Sequence, residues 1–294
     1  MSHNRGLKPD DHYLPSNTSQ VKRTVPDSTN PQFVGAPLQK DEQNIAACAP
    51  TFNKCHKPLR VCTLRIPTKI YYPCCIQWKP CALLVEFLGS AILVFTIALA
   101  TLIYGSNLTV VSLAAGFILL ALIDSFGPYS GGHFNPAVSF MFWLAGKLNI
   151  FALFLYWAVQ LVGAIIAGLL LLIFFDSASG LGTPLPVAGF SNAQAFIAEL
   201  IGATVLFHFI LFGVKNSCHL GVTAGLGFAA LEFIFIPISG GAFNFIRYFG
   251  PAVFSGLWYP WWIYLFPSFI AAIITWAIWW LCKKLKCYQK HFLK

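Results

Sequence analysis

Two asparagines 109 positions apart, Asn135 and Asn244, stand in near copies of one element. Ser130-Gly-Gly-His-Phe-Asn-Pro-Ala-Val-Ser-Phe140 and Ser239-Gly-Gly-Ala-Phe-Asn-Phe-Ile-Arg-Tyr-Phe249 agree at six of their eleven positions. The chemistry this pair supports is hydrogen bonding without covalent change. An Asn oxygen caps a helix start, and its amide keeps N–H donors for a passing oxygen. The Gly-Gly step lets the chain turn sharply, and Pro136 at a first helical position gives up no hydrogen bond. Short helices are therefore expected over Ala137 to about Leu144, stopping at Ala145-Gly146, and over Phe245–Phe254. Each N-terminus carries about half a positive elementary charge, so two that meet would repel a cation. A single Asn-Pro reads as a turn; two copies of its element in opposite halves of an apolar chain read as a duplicated device.

Other polar residues sit where they need an explanation. Arg247, inside the second copy, is the one basic residue that breaks an otherwise regular charge pattern. Glu86 and Glu199 open corresponding apolar segments, and a carboxylate at that depth is costly unless loop backbone donates to it. Asp124 and His133 lie near the loop before the first short helix, with His133 expected to brace that loop. His208 is expected to be a packing residue with its hydrogen bonds satisfied.

The elements that must hold these groups are membrane spans. Hydrophobic residues make up 57% of the 294-residue chain and charged residues 10%, with a mean hydropathy of +0.69. That is too little charge to solvate a soluble surface of this size. Apolar runs at 82–104, 108–123, 148–175, 194–214, 219–238 and 258–282 mostly approach the ~20 residues that cross ~30 Å of hydrocarbon. The second run is short. The expected fold is all-α: six transmembrane helices plus two re-entrant half-helices. They form halves of three spans each, at about 82–146 and 194–256, joined by the third span and the 176–193 loop. Three spans per half invert the second half relative to the first. A half-helix at membrane depth is tolerable only where it lines a cavity.

Of the 19 Lys and Arg, 11 precede residue 82 and five follow residue 282, with Lys147 and Lys215 in the second and fourth connections. The positive-inside rule then puts both termini and those connections in the cytoplasm. The net charge of +9 is tail charge suited to anionic lipid and calls for no nucleic-acid partner. Residues 1–79 read as a largely disordered cytoplasmic tail, 80–282 as the membrane domain, and 283–294 as a basic cytoplasmic tail. Cys48, Cys55, Cys62, Cys74, Cys75 and Cys81 fall on the reducing side, which argues against disulfides. Cys74 and Cys75 are placed where palmitoylation is physically reasonable. The Asn107-Leu108-Thr109 sequon lies outside but close to the membrane. No metal cluster, nucleotide loop or other cofactor site is visible.

The first element resembles the first signature of the aquaporin, or major intrinsic protein, family. Asn244-Phe-Ile-Arg-Tyr-Phe-Gly-Pro-Ala252 resembles the second. Glu86-Phe-Leu-Gly89, Glu199-Leu-Ile-Gly202 and Gln160-Leu-Val-Gly-Ala164 add to the match, which covers about residues 80–282. The resemblance implies tetramers with a pore in each subunit and passive movement of water or small neutral solutes. Asn135, Pro136 and Ala137 would form one pore signature, and Asn244, Phe245 and Ile246 the other, with Glu86 and Glu199 bracing the loops. Family spacing puts an outer filter at Ala115, Glu232, Gly241 and Arg247.

This chain departs from the family pattern in informative places. Phe245 and Ile246 replace Pro and Ala, and the Phe245 ring either narrows the pore or turns away. Ala115 and Gly241 are small and would widen the filter, while Glu232 could pair with Arg247 across it. Tyr248 replaces the small or acidic residue usual after the Arg, and Tyr264 is aromatic as in water-selective members. The expected function is a channel for water, with glycerol, urea, ammonia or peroxide as further candidates. An ion-coupled inverted-repeat transporter and a closed-pore membrane scaffold are the rival classes, separable by swelling assays.

Overall fold

The computed structural model describes residues 79–214 and 219–292, which are helical apart from short connections. The helices are α1 (Pro80–Tyr104), α2 (Leu108–Ser130), α3 (Pro136–Leu144), α4 (Ile150–Leu171), α5 (Asn192–Gly213), α6 (Leu220–Ser239), α7 (Phe245–Ser255) and α8 (Trp262–Phe292). A 3-10 segment, Ser177–Gly182, lies in the connection after α4. Expectations for residues 1–78, including Cys48, Cys55, Cys62, Cys74 and Cys75, and for Lys215 fall outside the described residues.

Local sequence explains where the helices start. Asn107 caps α2 by accepting from the Val110 N–H, and Asn149 caps α4 through the Ala152 N–H at 2.7 Å. Ser191 and Gln194 form a reciprocal capping box at α5, satisfying two N–H groups that membrane helices can least leave open. The stops are mirrored between halves. Both α2 and α6 carry a proline near their ends, Pro128 and Pro237, and both finish on a left-handed glycine, Gly131 and Gly240.

Among the described residues, six helices are long and apolar enough to cross a membrane: α1, α2, α4, α5, α6 and the Trp262–Leu285 part of α8. One of them corrects the sequence reading. The run expected to end near residue 123 continues to Ser130 and gives a 23-residue helix. Asp124 ends the apolar run without ending the helix, because its side chain is exposed and lies against Gly221 at the start of α6. The third run is shorter than expected, stopping at Leu171 before a turn.

Packing follows the duplication. Helix α1 packs on α4 as α5 packs on α8, while α2 and α6 lie against each other. Gly116, Gly225 and Ala229 let those two backbones approach closely. Each half-helix leans on the other half: α3 packs on α8, and α7 packs on α4 and on the 3-10 segment. The two half-helices also touch, so neither repeat completes its interior alone.

Candidate pore site

The loops before α3 and α7 are held by carboxylates in the same way. Glu86 accepts from the Ser130 hydroxyl at 2.6 Å, the His133 N–H at 2.9 Å, the Phe134 N–H at 2.8 Å and the Gln160 amide at 2.9 Å. Glu199 accepts from the Ser239 hydroxyl at 2.6 Å and from the Ala242 and Phe243 N–H groups at 2.9 and 2.7 Å. Tyr156 and Tyr264 donate to the carbonyls of Ser130 and Ser239, each at 2.8 Å. The braces hold a strained backbone, since Phe134 and Phe243 have φ of +46° and +47°. Such a conformation costs about 1–3 kcal/mol per residue. A hydrogen bond to a charged acceptor contributes about 1.5–3 kcal/mol, and each carboxylate accepts several, so bracing wins.

These loops deliver the two asparagines tip to tip. Asn135 caps α3 through the Ala137 N–H at 2.9 Å, and Asn244 caps α7 through the Ile246 N–H at 3.3 Å. Their amides cross over: Asn135 Nδ2 donates to the Phe243 carbonyl at 3.0 Å and Asn244 Nδ2 to the Phe134 carbonyl at 2.9 Å. An amide nitrogen has two protons, so each Asn keeps one for another acceptor. His133 joins this scaffold through Ser139 Oγ at 3.1 Å and a stack on Phe142, and its Nε2 is buried without a partner among the described residues.

Two cavities lie beside these loops. A central one of about 30 Å³ is lined by His133, Asn135 and Asn244 together with Leu119, Phe228 and Ala242. A larger one of about 190 Å³ lies under the Gly182–Val187 connection, with Val111, Ile236, Gly240 and Arg247 in its wall. Both exceed the ~10–15 Å³ that a water needs. Ala115 stands one helical turn from Val111 on one side and from Leu119 on the other. Glu232 stands likewise between Phe228 and Ile236, and Gly241 between Gly240 and Ala242. Of the residues named from spacing, Arg247 lines the larger cavity and Gly241 lies against Glu232, while Ala115, Glu232 and Gly241 line neither cavity.

Arg247 is fixed by groups that sequence reasoning missed. Its Nη1 donates to the Gly182 carbonyl at 2.8 Å and its Nη2 donates to Thr101 Oγ1 at 3.4 Å, while Nε has no partner among the described residues. Glu232 is fully buried, and neither of its carboxylate oxygens has a hydrogen-bond partner among the described residues. The pairing with Arg247 that the sequence left open is not made among the described residues. A Cβ at Gly241 would lie 2.9 Å from Glu232 Oε2, so the carboxylate fills the place of the missing side chain.

The altered second signature repacks away from this path. Phe245 turns aside onto Tyr248 and Phe249, and Ile246 is buried with Val94, Ala164 and Ala167. Tyr248 stacks on Tyr264 with ring centroids 4.6 Å apart and donates to the Leu257 carbonyl. Tyr264 therefore serves as a loop support, and neither described cavity includes it. His208 Nδ1 lies 2.7 Å from the Thr204 carbonyl and 3.2 Å from the Thr275 hydroxyl, and its ring stacks on Phe212. Gln160, Tyr156 and Ser130 are bracing residues whose roles depend on contacts between elements; the Ser130/Ser239 repetition and the Gln160-Leu-Val-Gly-Ala164 motif pointed to two of them, and nothing local pointed to Tyr156.

Six apolar spanning helices, with two capped half-helices meeting tip to tip, define an integral, multi-pass membrane protein. Over residues 77–279 the chain matches the family model described as Major intrinsic protein, and it belongs to that family. Aquaporin-8 of Rattus norvegicus is 34% identical over 208 residues, spanning 67% of this chain and 78% of that protein. Glycerol uptake facilitator protein-like 6 of Lactiplantibacillus plantarum is 31% identical over 204 residues, spanning 65% and 93%. The X-ray structure of the aquaglyceroporin from Plasmodium falciparum has the same fold, with a TM-score of 0.61 at 21% identity. That match covers 68% of this chain and 95% of the other.

Proposed function

We propose that this channel carries water passively, and small neutral solutes with it. The observation that carries this reading is the crossed pair of Asn135 and Asn244 at the central cavity. Each asparagine presents one uncommitted amide proton at the tip of a half-helix. An oxygen passing there meets two fixed donors and two positive helix ends, which orient water and repel cations. Pro136, Ala137, Phe245 and Ile246 begin the half-helices and carry no solute contact of their own. Ala115, Glu232, Gly241 and Arg247 act as the constriction, and Glu86, Glu199 and His133 keep the loops in register.

The named relatives support this reading, since they are described as an aquaporin, a glycerol uptake facilitator and an aquaglyceroporin. We further assign a homotetramer with a pore in each subunit and both termini in the cytoplasm. The lysines after residue 282 and before residue 82 support that sidedness. Stopped-flow swelling of proteoliposomes tests the function. Fast water flux with an activation energy near that of free diffusion is expected, and flux no greater than in empty vesicles would reject it. Native mass spectrometry in detergent tests the tetramer, which a monomer at all concentrations would exclude.

A further inference from the structure

Three elements run from the larger cavity to the central one, and each crosses at a residue that lines neither. On α6, Glu232 stands one turn from Ile236 of the larger cavity and one turn from Phe228 of the central one. Ala115 holds that place on α2, and Gly241 holds it in the loop before α7. Residues four apart share a helix face, so Glu232 and Ala115 lie on the faces that line the cavities. Both are 0% exposed, and Gly241 is buried. The Glu232 carboxylate lies against Gly241, where a Cβ would come within 2.9 Å of Oε2. A water crossing along these faces would have to touch Glu232 and Ala115, and neither offers it any surface. The three residues close a partition, and the Glu232 side chain is its bulkiest member.

Resting on the channel reading above, we infer that Glu232 is a gate: its side chain shuts the partition in this conformation, and rotation of that side chain toward the larger cavity opens it. Hydrogen bonding separates this acid from the other two. Glu86 and Glu199 each accept from at least three donors and are locked in place. Neither Glu232 oxygen has a partner among the described residues, so packing alone holds the gate shut. A buried carboxyl without a hydrogen bond is disfavoured. The larger cavity, at about 190 Å³, has room for that carboxyl and for water around it. Arg247, in the wall of that cavity, draws a carboxylate the same way. Ala115 and Gly241 have no side chain long enough to take its place, so the passage widens once Glu232 leaves.

The test is osmotic water flux of proteoliposomes holding the full chain, expressed per reconstituted channel. A gate that is mostly shut leaves its open state at about 10% or less, so Glu232→Ala is expected to raise water permeability at least about tenfold over wild type. Glu232→Gln keeps the length of the side chain and is expected not to raise it. Glu232→Ser keeps a polar group, follows Ala in direction, and serves should the Ala variant not fold. Ala and Ser variants no more permeable than wild type overturn the gate while leaving the channel reading intact. A Gln variant that rises as far as they do also overturns it, since charge rather than bulk would then close the passage. Wild type and every variant passing no more water than empty vesicles overturns both.

Discussion

Phe243 sets its ring on the backbone at Gly202, in the space a Cβ would take, and Phe134 does the same at Gly89. Both rings are fully buried, and both belong to the residue just before a capping asparagine. The position of each Asn thus depends on a ring seated against a bare helix backbone one span away. Gly202→Ala pushes on that ring and so on the Asn244 loop. A loss of about 1–3 kcal/mol is expected, the usual cost of overpacking. Thermal unfolding in detergent checks it, and a variant as stable as wild type would show that the ring has another place to go.

Glu199→Gln should destabilise the protein by at least about 2 kcal/mol, since a charged acceptor is replaced by a neutral one. The Gln amide also brings a donor against the Ala242 and Phe243 N–H groups, which themselves only donate. Glu86→Gln should cost at least as much, because Gln160 adds a fourth donor there. The expected readout is a lowered midpoint of denaturant or thermal unfolding for both variants. An unchanged midpoint would mean that the loops hold themselves.

Phe245→Pro restores a residue suited to a first helical position, where no backbone N–H is needed. The Phe245 ring packs on Tyr248 and Phe249 and stays clear of both cavities. Water permeability is therefore expected to be unaltered, with a modest loss of stability from the missing aromatic contacts. A large rise in permeability would instead place that ring in the path.

Arg247→Val removes the fixed cation beside the constriction and frees the Gly182 carbonyl to face the lumen. Leakage of protons or small cations should rise, and larger solutes should enter more readily. A pH-sensitive dye trapped in proteoliposomes under an imposed potential reports the first, and glycerol efflux the second. Selectivity identical to wild type on both readouts would remove Arg247 from the filter.

Much of the architecture was written locally. Hydropathy marked the six crossings, the Asn-capped repeats marked the half-helices, and the inverted duplication required them to meet. The end of α2 was misjudged for a local reason: Asp124 stops an apolar run, yet an exposed acid with room beside Gly221 does not stop a helix. Phe245 could not be placed from sequence, because an aromatic ring fits either a lumen or a cluster of other rings.

Sequence by itself determined that this chain spans the membrane, folds back on itself twice, and aims two asparagine-capped helix starts at a shared centre. Those properties follow from periodicity, capping chemistry and repetition, all of which act over short stretches. Tertiary structure decided what each buried charge does. Glu86 and Glu199 each accept from several loop donors, Arg247 is tied to Gly182 and Thr101, and Glu232 has no donor among the described residues. The four differ through partners brought from distant segments, and hydrogen bonding acts only over the few ångströms that folding closes.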